Sequence, residues 1–467
     1  MQPATVSNEW SLMAAADYLS MQNSSLLQMS RRNLRFWGAV AAFLYCGYGM
    51  WGRAFAYIGV PSVKLFIGDV ALVLFIICCN RVMEDFWLRS LLRSTPLSAV
   101  AWSFTLFLFY GVLECARGLA IGQEPLPAIQ ELVFNIYPIF FFMGLMAALV
   151  YPDLLGKIVR FMAFTSCIWG LVYYLFLRNV SIKIPGTSEI ILEPGGAALA
   201  LLGLNYLNLR RWWPIVAISA FLTLAGQVRG VWLAVSIALV VQAILAKKIT
   251  RLFWGFGIVA VLLIVGWSTD VVIPSPTGRG GAVASREIIA RAISVFDQDA
   301  AREYSPRNAK FYAGTASWRQ IWWREIWSST HQDAGTALVG HGYGFPMNKL
   351  VPYLRNNDDL RTPHSVFYFA LGYTGWIGVV LFFGFQAAIG FTLFRAWRFS
   401  GDTFGFSIWV SSIASALFEN TYETPFGAIP QYLILGMAGV GAMNRWNDKR
   451  SRYAATVESH AHQPAYR

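Results

Sequence analysis

The chain has 467 residues, 56% of them hydrophobic and only 13% charged, with a formal net charge of +12. Soluble globular proteins carry roughly a quarter charged residues, so this composition excludes a water-soluble enzyme and implies an integral membrane protein. Barrel strands alternate apolar and polar residues, whereas the apolar runs here are continuous, so the spans are helices. The 19 Trp and 20 Tyr suit aromatic belts at both bilayer surfaces.

Residues 1–35 are mixed polar and lack a cleavable signal pattern. They are expected to form a cytoplasmic or interfacial segment, with residues 8–30 along the inner membrane surface. Nine apolar spans follow within 36–269, at about 36–58, 64–80, 97–116, 129–150, 157–177, 192–208, 212–227, 230–246 and 252–269. Residues 270–363 are polar and form one large loop. Three more spans are expected within 364–444, at about 364–395, 403–419 and 427–444, before a cytoplasmic tail at 445–467. The reading is thus an all-α membrane protein of about twelve transmembrane helices, with one large outer loop containing short helices.

Basic residues decide the orientation. Nineteen fall in loops on the side of the amino terminus, and six (Arg53, Lys64, Arg117, Arg178, Lys183 and Arg229) in the short loops opposite. This positive-inside bias places both termini in the cytoplasm and the large loop outside. It also turns most of the +12 into topology rather than affinity for nucleic acid. The five cysteines sit in or beside spans and the outer loops have none, so neither a disulfide framework nor a thiolate metal site is expected.

Within the loop, Ala282–Phe296 has helical spacing. A second helix is predicted from Ser317, with Gln320 completing a capping box, to about Ser329. Its Trp318, Ile321, Trp322 and Ile326 form an apolar stripe, expected to pack the loop onto the membrane domain in preference to stacking on sugar.

Three cations or titratable groups stand out. Arg229, in GQVRGVWLA at the outer surface, is either a snorkelling anchor or a phosphate ligand. Arg319 is placed at the start of the loop helix, where an amino terminus also attracts anions; on a solvated face it has no such role. Arg286, Arg291, Arg324 and Arg361 compete with it. His364 is the one histidine of five that opens a span, and its ordinary pKa of about 6.5 suits proton exchange near neutral pH, although a lone histidine is more often a cap or core residue. Asp297 and Asp299 resemble a metal-binding carboxylate pair only weakly, and no metal is expected. Gly340, Gly342 and Gly344 mark a tight turn; no Lys-Ser/Thr follows them as in a P-loop. Outside the cytoplasm there is no ATP, so a transfer reaction there needs a substrate that carries its own energy. A polyprenyl pyrophosphate-linked sugar fits: two arginines would neutralise the departing diphosphate, and a histidine would orient or deprotonate the incoming hydroxyl.

These residues also carry a resemblance. The chain resembles the bacterial O-antigen ligases, whose pattern H-[N/S/Q]-x9-G-x-x-[G/T/Y] is satisfied by His364, Ser365, Gly375 and Gly378. The R-x3-L of that family is similar to Arg229–Leu233, its arginine-and-tryptophan loop helix to Ser317–Trp322, and its glycine turn to Gly340–Phe345. The twelve-span layout, with the large loop after the ninth span, also agrees.

The resemblance implies a GT-C-like, metal-independent glycosyltransferase of the bacterial inner membrane, with no cofactor. It would take O-antigen glycan from undecaprenyl pyrophosphate and pass it to a hydroxyl of the lipid A–core oligosaccharide at the periplasmic face, completing lipopolysaccharide. Arg229 and Arg319 would bind the pyrophosphate and His364 would activate or position the acceptor. Ser365, Gly375, Gly378, Gly340, Gly342 and Gly344 would support them. Besides donor and acceptor, the partners implied are membrane lipids and no nucleic acid. O-antigen polymerases and protein O-oligosaccharyltransferases share parts of the pattern, and Arg324 with Gly335 makes one polymerase-like R-x10-G spacing. A lipid-linked glycan transporter ranks lower: it needs charges deep in the spans, where Glu114 and Asp69 are the main acids and neither has an obvious partner in sequence.

Overall fold

The computed structural model describes residues 25–60, 65–92, 97–182, 190–192, 195–196, 198–274, 282–294, 297–305, 309–355 and 362–441. The first 24 residues, the tail at 445–467 and Arg361 lie outside the described residues.

The amino-terminal half builds helices α1 (Ser25–Trp51), α2 (Arg53–Ala56), α3 (Ile67–Leu92), α4 (Ser98–Ala120), α5 (Pro125–Ile136), α6 (Ile139–Val150), α7 (Leu154–Val172) and α8 (Leu199–Leu202). Next come α9 (Leu209–Ala225), α10 (Arg229–Leu245) and α11 (Ile249–Ser268). The loop contributes α12 (Ser285–Ile293), α13 (Gln298–Tyr304), α14 (Ala309–Thr330) and α15 (Ala334–Val339). The chain then returns through α16 (Val366–Ser400) and α17 (Phe404–Ala416), and through α18 (425–441). Three antiparallel ribbons of two residues per strand are the sheet structure among the described residues.

Among the described residues, four segments are long and apolar enough to cross a membrane: Ser98–Ala120, Pro125–Val150, Leu154–Leu177 and Val366–Ser400; Arg229–Leu245 and Phe404–Ala416 are apolar but shorter. The predicted span at 129–150 divides into α5 and α6 around Pro138, which has no N–H to continue the ladder. The predicted span at 192–208 is not a long helix among its described residues. It forms the single turn α8 and then a 3-10 turn, Leu204–Tyr206. Gly203 ends α8, and glycine costs a helix about 1 kcal/mol relative to alanine; its bare Cα also lets the Val159 side chain press against it.

The core is organised around α18. Ile429, Tyr432, Leu433 and Leu435 on it are fully buried, as expected of a helix that is apolar all round. It lies directly on α6, because Gly144 faces the Leu433 carbonyl and Gly436 faces the Phe141 carbonyl. Small residues permit this backbone approach, the usual device where lipid gives helices no hydrophobic reason to associate. The aromatic rings of Phe104, Phe107, Phe134, Phe382 and Phe385 interlock across α4, α5 and α16. Meanwhile α10 packs along α17, and α1 along α6.

In the loop, α14 begins at least eight residues before the predicted Ser317. Ser317 therefore lies inside the helix, the capping box does not form, and Arg319 stands in mid-helix rather than at an amino terminus. The preceding Ala309, Ala313 and Ala316 favour helix and extend it. The apolar stripe packs as expected: Trp322 and Ile326 are fully buried, and the Trp322 indole donates to the Met347 carbonyl at 2.9 Å.

Candidate active site

The site starts from a break in α16. Gly375 has φ 62° and ψ −166° inside that helix, so the carbonyls of the preceding turn lose their helical donors. Those of Gly372 and Tyr373 accept from the backbone N–H groups of His341 and Gly342, both at 2.9 Å. The Tyr110 hydroxyl donates to the Thr374 carbonyl at 2.9 Å. The kink thus has an identifiable cause, and each of these three carbonyls has a partner.

The partner is the glycine turn after α15. Gly340 has φ 68°, and a Cβ there would stand 2.5 Å from the Tyr373 carbonyl carbon and 2.6 Å from the Gly375 nitrogen. Arg117 caps the turn from α4, donating to Val339 O at 2.6 Å and Gly340 O at 3.0 Å. The buried Glu131 accepts from Gly344 N and from the Tyr373 hydroxyl, each at 2.6 Å. The Tyr343 hydroxyl donates to Asn135. With the N–H groups of His341, Gly342 and Gly344 all engaged, the turn is a brace and offers none of the three to an anion. Gly378, one turn beyond the kink, lies under the Thr374 side chain. Because residue 375 needs a left-handed φ and faces the Leu338 carbonyl, Gly375→Ala is expected to cost about 2–4 kcal/mol, read as a fall in thermal unfolding temperature of the purified protein.

The same network answers for the intramembrane acids. Glu114 pairs with Arg117 one helical turn away, at 2.5 Å, and Asp69 accepts from Phe66 N at 3.1 Å and the Tyr137 hydroxyl at 3.2 Å. Both have local structural partners.

His364 sits just before the amino-terminal end of α16, in a left-handed conformation (φ 54°). Its neighbours are fixed: the Trp323 indole donates to Pro363 O at 2.7 Å and stacks on Tyr368 with ring centres 5.1 Å apart. Ser365 is buried and extended, and its carbonyl accepts from Phe369 N as α16 begins. Trp318 presents its ring perpendicular to the imidazole at 5.5 Å. The imidazole Nδ1 is buried with no hydrogen-bond partner. Burial, followed by the charges of Arg319 and Arg53, pushes the His364 pKa down to about 3. The ordinary value assumed from sequence therefore does not hold, and the free site contains a neutral imidazole at neutral pH.

Arg319 reaches across from α14. It donates to Phe418 O at 2.6 Å and pairs with Glu419 at 3.3 Å, while its guanidinium lies 5.6 Å from the Trp318 ring. Glu419 in turn abuts the start of α10: a Cβ on Gly230 would stand 2.7 Å from its Cγ. Arg229 opens α10 and donates to the Ser294 hydroxyl at 2.9 Å, and that hydroxyl donates to Arg291 O. Arg291 itself is buried and holds the Gln227 carbonyl at 3.1 Å. Arg319 is thus near enough to His364 to depress its pKa, and Glu419 links it to the start of α10.

Arg324 is exposed beside Glu325 and Arg286 lies over Trp267, so neither has this setting. Asp297 caps α13 by accepting from Asp299 N and Ala300 N, and Asp299 pairs with Arg302. Among the described residues no group of three or more His, Cys, Asp or Glu is placed to hold a metal ion.

Sequence reasoning missed Arg53, Ser294, Glu419 and Glu423. Arg53 stacks on Phe426 at 4.7 Å. Glu423 has one buried carboxylate oxygen without a partner, and burial first, then the nearby Glu419, pushes its pKa up to about 8. The available signal was two acids four residues apart in the short turn between α17 and α18.

Residues 214–383 match a family model described as O-antigen ligase. No curated protein matches the chain. The matched stretch contains Arg229, Arg319, His364 and both halves of the glycine brace.

Proposed function

From the match of residues 214–383 to a family model described as O-antigen ligase, we propose that this protein transfers O-antigen glycan from undecaprenyl pyrophosphate to a hydroxyl of lipid A–core oligosaccharide. The observation that supports the reading is the chain of contacts that runs from His364 past Trp318 and Arg319 to Glu419, which also touches Gly230 beside Arg229. The proposed reaction takes place at the periplasmic face of the bacterial inner membrane, in a GT-C-like chain of about twelve spans with both termini cytoplasmic.

In this reading, Arg319 and Arg229 bind the diphosphate through charge-assisted hydrogen bonds. The acceptor oxygen attacks the anomeric carbon, the bond from that carbon to the diphosphate oxygen breaks, and undecaprenyl pyrophosphate leaves with the electron pair. Developing negative charge is stabilised by guanidinia already in position. The unpartnered Nδ1 of His364 is the acceptor for the hydroxyl proton. An anion beside Arg319 and Arg53 offsets the charges that depress the imidazole, so donor binding itself would raise its basicity. Neither metal nor cofactor has a step in this scheme.

The test is transfer by purified, reconstituted protein in EDTA, with the lipid-linked glycan and lipid A–core supplied. Glycan on lipid A–core is the expected product. Longer lipid-linked chains without that product would identify an O-antigen polymerase, transfer to protein Ser or Thr a protein O-oligosaccharyltransferase, and no covalent change a transporter. Strong inhibition by EDTA would overturn the metal-free scheme.

A further inference from the structure

Among the described residues, four non-glycine positions have left-handed backbones: Gln227, Lys247, Asp270 and His364. Only Gln227 and His364 also hold buried side-chain polar atoms without a hydrogen-bond partner. Gln227 is the more extreme case. It is 4% exposed, yet both its amide nitrogen and its amide oxygen are unsatisfied. Strain and unsatisfied burial each cost free energy, and both concentrate where a ligand compensates them.

The position agrees. Gln227 lies in the turn between α9 and α10, two residues before Arg229, and its carbonyl is fixed by Arg291. We infer that the Gln227 side chain is a substrate ligand that binds the first sugar of the donor, the one bonded to the diphosphate. Phosphate oxygens only accept hydrogen bonds, so a diphosphate would satisfy the amide nitrogen and leave the oxygen bare. A sugar carries hydroxyls that donate and accept, and one sugar edge satisfies both atoms. With Arg229 holding the diphosphate, the adjoining sugar is the nearest such group. This assignment rests on the ligase reading.

The experiment compares wild type with Gln227→Leu, an apolar near-isostere. Direct binding is measured for undecaprenyl pyrophosphate and for undecaprenyl pyrophosphate-linked glycan, together with transfer kinetics and thermal unfolding. Removing an unsatisfied buried amide without changing its shape is neutral or stabilising, so the unfolding temperature should hold or rise. Affinity for the glycan-bearing lipid, and the donor KM with it, should weaken by about tenfold, while binding of the bare lipid is unchanged. A structural role predicts the opposite: lower unfolding temperature with donor affinity retained, which overturns the inference. Equal loss for both lipids would assign Gln227 to the diphosphate and also overturn it. If Gln227→Leu does not fold, Gln227→Gly suits the left-handed backbone and should show the same lipid discrimination. A wild-type protein that binds neither lipid and transfers nothing defeats the ligase reading itself; an active wild type with an unaltered variant defeats Gln227 alone.

Discussion

His364→Ala is expected to lower transfer by about 10²–10⁴-fold while the protein is still made, folded and inserted. A second readout comes from acid. The folded pKa of about 3 lies below the unfolded value of about 6.5. Below pH 6.5 the unfolded chain binds a proton that the folded site refuses, so wild-type stability falls with pH by up to about 1.4 kcal/mol per unit. At pH 5 the loss is at most about 2 kcal/mol, reduced by the solvent that reaches the ring. The variant lacks this penalty. The difference between unfolding temperatures at pH 7.5 and pH 5 should therefore be smaller in His364→Ala than in wild type. Normal transfer by a fully produced variant would remove the histidine from the mechanism.

Arg319→Ala is expected to reduce kcat/KM by about 10²-fold, mostly through donor KM, because a charge-assisted contact to the diphosphate is lost. Its partner makes the prediction sharper. Glu419 pairs with Arg319 at 3.3 Å, so the single substitution leaves a carboxylate facing the anion site. Adding Glu419→Ala to Arg319→Ala should recover part of the donor affinity, and Glu419→Ala alone should cost far less. Lysine at 319 should restore only part of the loss, since a point charge replaces a two-pronged donor. Donor saturation curves on the four variants decide it; an unchanged KM in Arg319→Ala would mean that the arginine only ties the loop to the Phe418–Glu419 turn.

Local patterns announced part of this site. His364 was conspicuous because a titratable ring opens an apolar run, and the Trp322–Ile326 stripe because its spacing is helical. Arg229 stood out as a guanidinium between two short apolar segments. What local pattern did not carry is distance along the chain. Glu419 meets Arg319 from 100 residues away, and nothing near either residue signals the other. The setting of His364 was also hidden, since its low pKa depends on burial and on Arg53, more than 300 residues upstream. The start of α14 was misplaced because Ser317 has the chemistry of a cap, but the alanine-containing turns before it are also good helix. The stretch at 192–208 shows the complementary case: its apolar content marks a buried segment, while its described residues form a short helix and a 3-10 turn around Gly203 and not one long helix.

The hinge at Gly375 divides α16 into a short outer arm and a long apolar one. The short arm gives two of its freed carbonyls, those of Gly372 and Tyr373, to the glycine turn, and His364 precedes that arm. The imidazole is therefore registered against α14 and the glycine turn, not against the bilayer. Thinning or thickening of the lipid acts on the long arm and is absorbed by its tilt, leaving the spacing of His364 and Arg319 undisturbed. A helix built this way can adapt its lipid-facing length to different membranes without retuning its chemistry.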